Sequence, residues 1–166
     1  MILTKPEIVK EIKAGRVKLS TKKPAIGPAS IDLTLGDKIR VFNKEHDFDI
    51  AKNIDYKKAT IIIDIKKGYS LSPGELVLGI TKEKVTLPNN ICGWLQSRSR
   101  FARIGLMSHI TAPFICPGIS NRQVLEIYNA GRQHILLKPG VKICQLILQE
   151  CKGKAKYRGK FKEQKL

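Results

Sequence analysis

Apolar residues recur along this chain with two different periods. Near the start, Ile8, Val9 and Ile12 fall on one helical stripe. Thr4 precedes the stripe and Glu7 stands three residues later, the spacing of a capping box. Pro6 falls in the first turn, where it is tolerated, and Gly15 is placed to close the helix. From there the period becomes two. Ile31, Leu33 and Leu35 alternate with Asp32 and Thr34, and short strand-like runs follow at 39–42, 60–65, 75–81, 84–87, 91–96, 123–129, 134–137 and 141–149. Gly, Pro, Asn or Lys-rich breaks separate them, and NAGRQ and KPG have the composition of turns. One further helical turn is expected near 97–105. The pattern predicts a mainly β chain, a sandwich or barrel, with an N-terminal helix and one short internal helix. No repeat or linker divides it. Residues 1–151 read as a single β domain and 152–166 as a basic tail.

Composition narrows the class. A chain of 166 residues, 42% hydrophobic and 27% charged, suits one globular domain with a real core. No apolar run is long enough to span a bilayer. The first residues, MILTKPEIVKEIK, carry charge from Lys5 onward and have no apolar signal core, so the expected location is cytoplasmic. The formal net charge of +17 favours polyanions: nucleic acid, anionic membrane or a phosphorylated metabolite. Much of that charge lies in CKGKAKYRGKFKEQKL. The spacings of Cys92, Cys116, Cys144 and Cys151 fit neither a CxxC pair nor a zinc site. They read as small hydrophobes in a reducing compartment, at least for Cys92 and Cys144, which lie in apolar runs.

Three stretches carry candidate chemistry. In SRSRFARIGLMSHITA (97–112), Arg98, Ser99, Arg100 and Arg103 gather three cations and a hydroxyl at a helix start, a pattern suited to phosphate. Spacing alone leaves a solvated basic turn equally open. In TAPFICPGISNRQVLEIYN (111–129), a rigid Pro-Gly loop leads into a strand that holds Glu126 among Val124, Leu125, Ile127 and Tyr128. Alternation puts Val124, Glu126 and Tyr128 on one face and Leu125 and Ile127 on the other, and neither face is plainly wet. Glu126 is then either a solvent-side carboxylate or an acid held in an apolar pocket. His109 nearby reads as a hydrogen-bonded core residue rather than a catalyst. In the tail, aromatics interleave with cations in YRGKFKEQ (157–164), a pattern that closes over a nucleotide, binds single-stranded nucleic acid or simply frays.

Taken in order, PASIDLTLG, LSPGELVLGITKEKVTLP, SRSRFARIGLMSHITA, PGISNRQVLEIYN and LKPGVKICQL resemble the dCTP deaminases, which share a fold with the trimeric dUTPases. The resemblance covers most of the chain and keeps its spacing from Arg98 to Glu126. It implies a distorted β-barrel or jelly-roll subunit, a homotrimer with active sites between subunits, and hydrolytic deamination of dCTP to dUTP and ammonia. It implies no catalytic zinc, and the chain has none of the H-x-E and P-C-x-x-C ligands of the zinc deaminases. Magnesium would arrive with the triphosphate.

Matched position by position, Glu126 takes the place of the proton-shuttling glutamate. Ala112 supplies backbone that holds the water and the base. Ser99 and Arg103 are polar partners near the reacting group and phosphates, and Arg98 contacts phosphate. Arg100, Thr111, Ile115 and Cys116 fall among the substrate-binding positions. Tyr157, Lys160 and Gln164 match a tail that folds over the nucleotide. Three positions depart from the family pattern: Arg100 replaces a serine, Ile119 a tryptophan, and Cys116 an aspartate that in dUTPases prepares the water attacking the phosphate chain. Glu126 thus favours deamination, and Cys116 argues against a dUTP diphosphatase or a bifunctional enzyme. A non-catalytic nucleotide- or nucleic-acid-binding protein is the alternative from another class. Nucleic acid and membrane are not expected partners.

Overall fold

The computed structural model of the chain describes residues 1–43, 45–164 and 166. Helix α1 (Lys5–Lys13) is followed by twelve strands among the described residues: β1 (Lys18–Leu19), β2 (Ala25–Ile26), β3 (Ile31–Phe42), β4 (Thr60–Asp64), β5 (Tyr69–Leu71), β6 (Leu76–Thr86), β7 (Ile91–Ser97), β8 (Leu106–Met107), β9 (Phe114–Ile115), β10 (Ser120–Asn129), β11 (Ile135–Leu137) and β12 (Lys142–Glu150). A one-turn helix α2 (Ser99–Ala102) separates β7 from β8, and 3-10 turns lie at Tyr56–Ala59 and Lys160–Glu163. Ten strands form one curled antiparallel sheet, a half-barrel in the order β8-β10-β6-β3-β12-β7-β9, with β1 on β6 and both β2 and β4 on β3. Strands β11 and β5 pair separately.

Two pairs of expected runs are single strands. Residues 31–35 and 39–42 both belong to β3, and 75–81 and 84–87 both belong to β6. The composition breaks at Gly36 and Lys82 mark irregular register, not strand ends. Strand β3 uses its first half to pair with β12 and its second to pair with β4, and its register on β6 shifts between Leu35 and Ile39. Such a shift bends a strand and interrupts its ladder only locally. Strands β1, β2, β5, β8 and β9 have two or three residues each, too few to show a period.

The expected capping box at the start of α1 does not form. Thr4 is the N-cap, but its hydroxyl accepts no hydrogen bond, and Glu7 pairs with Lys10 at 3.4 Å. Pro6 already removes one of the helix's unpaired donors, and the Lys5 N–H goes to the Pro28 carbonyl at 2.7 Å. The other end follows expectation. Gly15 takes φ +68°, its N–H reaches the Ile12 carbonyl at 3.0 Å, and the Arg16 N–H reaches the Glu11 carbonyl at 3.0 Å. That reversal turns Arg16 back so that Nε and Nη2 fork onto the buried Glu11 carboxylate at 2.7 and 2.6 Å.

One continuous core fills the curled sheet. Ile8 of α1, Leu33, Ile39, Val77, Leu125, Ile127 and Leu146 are fully buried in it. Cys92 and Cys144 are buried as expected, and burial pushes their thiols up to about 11 and about 12. Alternation along β10 is now resolved. Leu125 and Ile127 point into the core and Asn129 is buried on the same face, whereas Val124, Glu126 and Tyr128 stand half-buried on the outer face. Asn121 and Gln123, beside the register shift that follows Arg122, are buried under the tail and beside the outer cavity.

The Arg16 guanidinium holds the Glu11 carboxyl below its ordinary value. A carboxylate whose pKa is lowered by folding adds stability above its unfolded pKa and loses it as pH falls through the folded one. Glu11→Gln is therefore expected to lower Tm at pH 7. The deficit relative to wild type should shrink as pH drops below about 4.5, the unperturbed carboxylate value. Thermal melts across pH 3 to 7 check this.

Candidate functional site

Strand register builds the site. Glu126 of β10 lies opposite Leu78 of β6, and Leu78 lies opposite Arg40 of β3. Residues directly opposite share a face, so Arg40, Leu78 and Glu126 form one row across three strands on the outside of the sheet. Arg40 and Leu78 are each only 8% exposed, so this outer face is covered. Its covers are the 53–57 segment, the 109–114 loop and the tail. Together they enclose a cavity of about 760 Å³ lined by Asn53, Tyr56, Leu78, His109, Ala112, Phe114, Gln123, Val124, Glu126, Lys160, Phe161 and Gln164, among others. That size suits a nucleotide-scale ligand.

Within the cavity, Glu126 is held by one oxygen. Its Oε2 accepts the backbone N–H groups of Ile110 and Thr111, each at 3.3 Å, and His109 Nδ1 stands 3.3 Å from the same atom. Oε1 accepts no hydrogen bond from the described residues. The Glu126 side chain is 27% exposed, so it is neither fully solvated nor sealed in an apolar pocket. Beside it, neither main-chain group of Ala112 hydrogen-bonds to a described residue. A half-buried carboxylate with one tethered and one open oxygen, next to open backbone groups, is suited to moving protons on a bound ligand.

The tail is fixed on this face. The Tyr157 N–H donates to the Pro117 carbonyl at 3.1 Å, and the Asn121 amide donates to the Phe161 and Lys162 carbonyls at 3.0 and 3.3 Å. The register of β10 on β6 shifts between Arg122 and Val124, and the freed Val124 N–H donates to Gln164 Oε1 at 3.0 Å. Lys160 Nζ reaches Asn53 Oδ1 at 2.5 Å. Gln164 and Lys160 thus join Glu126 and Ala112 in one cavity, with Thr111 touching Glu126 through its backbone. Lys165 of the tail lies outside the described residues.

The structure places the cationic turn elsewhere. Arg98 and Arg100 line a second cavity of about 920 Å³, with Phe101, Ile104, His134, Lys138 and Lys142. Among the described residues, no carboxylate lines this larger cavity. Arg98 is held at 3.3 Å by Asp32, which also takes Lys142 at 3.5 Å. Ser99 and Arg103 are exposed and line neither cavity. Helix α2 has four residues, too short for the helix-dipole contribution that its sequence suggested, so any anion binding there rests on the guanidinium groups. The Ile115 side chain is in the core, and Cys116 is half-buried against it, outside the Glu126 cavity. Ile119 is also buried in the core.

Comparison with known proteins decides the family. A family model described as dCTP deaminase-like matches residues 2–151. The chain is 38% identical over 167 residues to a dCTP deaminase of Marinomonas sp. (strain MWYL1), covering 93% of this chain and 86% of that one. It is 39% identical over 166 residues to a dCTP deaminase of Shewanella amazonensis, covering 92% and 85%. The chain belongs to the dCTP deaminase-like family. Its fold matches the dCTP deaminase of Agrobacterium tumefaciens with TM-score 0.69 at 19% identity, over 89% of this chain but only 46% of that longer chain. It also matches the dUTPase of EIAV with TM-score 0.56 at 17% identity, over 86% and 95%. A mutant dUTPase from phage phi11 of S. aureus, described with a structural Mg(II) ion, matches with TM-score 0.56 at 14% identity, over 87% and 96%. The mainly β, dUTPase-like architecture is therefore that of the family.

Sequence reasoning missed the 53–57 segment, Phe114, Gln123 and the position of His109. The first lies in a stretch without period, and nothing local to it signals that it covers Glu126. His109 was expected to be hydrogen-bonded in the core. Its side chain is buried, but neither ring nitrogen has a hydrogen-bond partner among the described residues. Among those residues, no helix is long and apolar enough to cross a membrane.

The cationic turn depends on Gly105, which takes φ +80° just after it. A Cβ there would also meet Gly131 N at 2.5 Å. Gly105→Ala should cost at least about 1–3 kcal/mol from backbone strain alone. Chemical denaturation would reveal the loss, and an unchanged midpoint would contradict it.

Proposed function

We propose that this chain hydrolyses the 4-amino group of dCTP, giving dUTP and ammonia. The observation that carries the reading is Glu126: a carboxylate tethered through Oε2 and open at Oε1, in a nucleotide-sized cavity. With cytosine in that cavity, the open oxygen takes a proton from water as the water oxygen bonds to C4, and passes it to N3. The new hydroxyl then gives its proton through the same carboxylate to the amino nitrogen. The C4–N bond breaks, C4=O forms and ammonia leaves, so one molecule of water is consumed. The main-chain groups of Ala112 orient the water and the base. Gln164 and Lys160 hold the tail closed, and Tyr157 anchors its root. Thr111 borders the substrate through its backbone beside Ala112, whereas the Ile115 side chain packs in the core with Cys116 against it, so within one chain neither reaches this cavity. A thiol is a poor acceptor beside the carboxylate usual in the family, which disfavours activation of water against the phosphate chain.

We further propose that the phosphates are bound by Arg98, Ser99, Arg100 and Arg103 of a neighbouring copy in a homotrimer. These groups lie away from Glu126 within one chain, with Arg98 and Arg100 lining a separate cavity, and this separation fits a role across an interface. Magnesium enters with the triphosphate rather than on a protein-built site. Four unpaired cysteines fit a reducing compartment, and the cytoplasm is the proposed location.

Incubation of the pure protein with dCTP and Mg²⁺, followed by chromatography, should yield dUTP and ammonia. Unchanged dCTP would overturn the reading, and dUMP with pyrophosphate would mark a bifunctional enzyme. Glu126→Gln should keep the fold and nucleotide binding but lower kcat by roughly 10²–10⁴-fold, since an amide cannot shuttle protons. Near-normal turnover would remove Glu126 from its role. Shared sites make a separate prediction. Glu126→Gln and Arg103→Gln should each be inactive alone, yet regain turnover when refolded together, because mixed trimers contain one intact site. Deleting the chain after Cys151 should raise KM for dCTP more than it lowers Tm.

A further inference from the structure

The Glu126 cavity contains a histidine that the proposed reaction does not use. The His109 side chain is only 3% exposed, and both of its ring nitrogens are buried without a hydrogen-bond partner among the described residues. Buried polar atoms are nearly always paired, so an imidazole left open at both nitrogens needs an explanation. Its Nδ1 lies 3.3 Å from Glu126 Oε2, within reach but off the line of a hydrogen bond. Catalytic hydrogen bonds are often misaligned in ligand-free structures and tighten when substrate binds.

The backbone around His109 is clamped, so only the ring is free to adjust. The fully buried Ser108 donates its N–H to Ser97 Oγ at 3.1 Å, and the two hydroxyls lie 2.9 Å apart. On the other side, the Ile110 N–H is tied to Glu126 Oε2 itself. A small turn of the ring brings an Nδ1–H onto Oε2 and pairs an otherwise orphaned group. That contact requires the Nδ1-protonated tautomer.

Resting on the deaminase reading of this cavity, we propose that His109 is the positioning residue for Glu126. On substrate binding it becomes the third donor on Oε2, after the Ile110 and Thr111 amides. Three donors on one oxygen stop the carboxylate from rotating about its C–C bond. Oε2 stays the anchor, and Oε1 alone faces the water, N3 and the amino group. Without His109 the carboxylate samples orientations in which neither oxygen lies in line with both proton acceptors. Binding of dCTP does not depend on that orientation, so the loss falls on kcat and not on KM.

Two variants separate positioning from packing. His109→Phe keeps the ring volume and removes the donor, whereas His109→Asn places an amide N–H near the Nδ1 position. The phenylalanine variant should lose about 10²-fold in kcat with KM within about threefold of wild type. The asparagine variant should recover most of that loss. Wild-type kcat in His109→Phe, or an equal loss in both variants, overturns the proposal. A second readout does not depend on turnover. With three histidines in the chain, ¹⁵N-histidine labelling of the whole protein resolves the His109 ring, and Glu126→Gln should shift its Nδ1 signal. An unmoved signal with dCTP bound also overturns the proposal. If wild type fails to deaminate dCTP, the functional reading falls, and the spectrum still decides whether the two side chains touch.

Discussion

The antiparallel pairing of β10 with β6, from Val124 opposite Ile80 to Tyr128 opposite Leu76, is the constraint on which the rest of the site depends. Leu125 and Ile127 are fully buried on the inner face, and each contributes about 1.5–3 kcal/mol by leaving water. A slip of one residue would expose both and drive Glu126 into the core. The register is therefore held by hydrophobic burial on one face while the chemistry rides on the other. This division lets an ionisable group stand at the centre of a strongly specified strand without unsettling it.

The same strand supplies the handholds for its own cover. Where its register on β6 shifts, the Val124 amide turns to Gln164, and Asn121 a short way upstream takes two tail carbonyls. Irregular backbone at one place thus does two things: it bends the sheet and it captures the tail. Of the tail's described cations Lys160 lines the cavity, whose proposed ligand carries a triphosphate, so part of the net charge of +17 has a local use. The cationic turn after β7 is built separately, on the Asp32 ion pairs and the left-handed Gly105.

Period two located the long strands because each has an alternating face, and the helix stripe was plain in Ile8, Val9 and Ile12. The alternation of β10 was also visible, but not which face was wet. That depended on Leu78 and Arg40, which are distant in sequence and opposite in register. The two-residue strands and the 53–57 cover lacked any period of their own. The capping box does not form because Pro6 has no N–H to cap and the Pro28 carbonyl takes the Lys5 N–H. His109 was read from its apolar neighbours, which correctly gave burial but not its place beside Glu126. The ordered motifs from Arg98 to Glu126 revealed the family, yet one chain keeps their two ends in separate cavities.

In the proposed reaction, water adds at C4 of cytosine under the control of Glu126. The most direct measurement is isotopic: the protein is incubated with dCTP in H₂¹⁸O and the nucleotide product is analysed by mass spectrometry. The expected product is dUTP with one ¹⁸O at O4 of uracil and none in the phosphates, and no such product from Glu126→Gln. Label appearing in a released phosphate, or unlabelled dCTP remaining as the sole nucleotide, would contradict it.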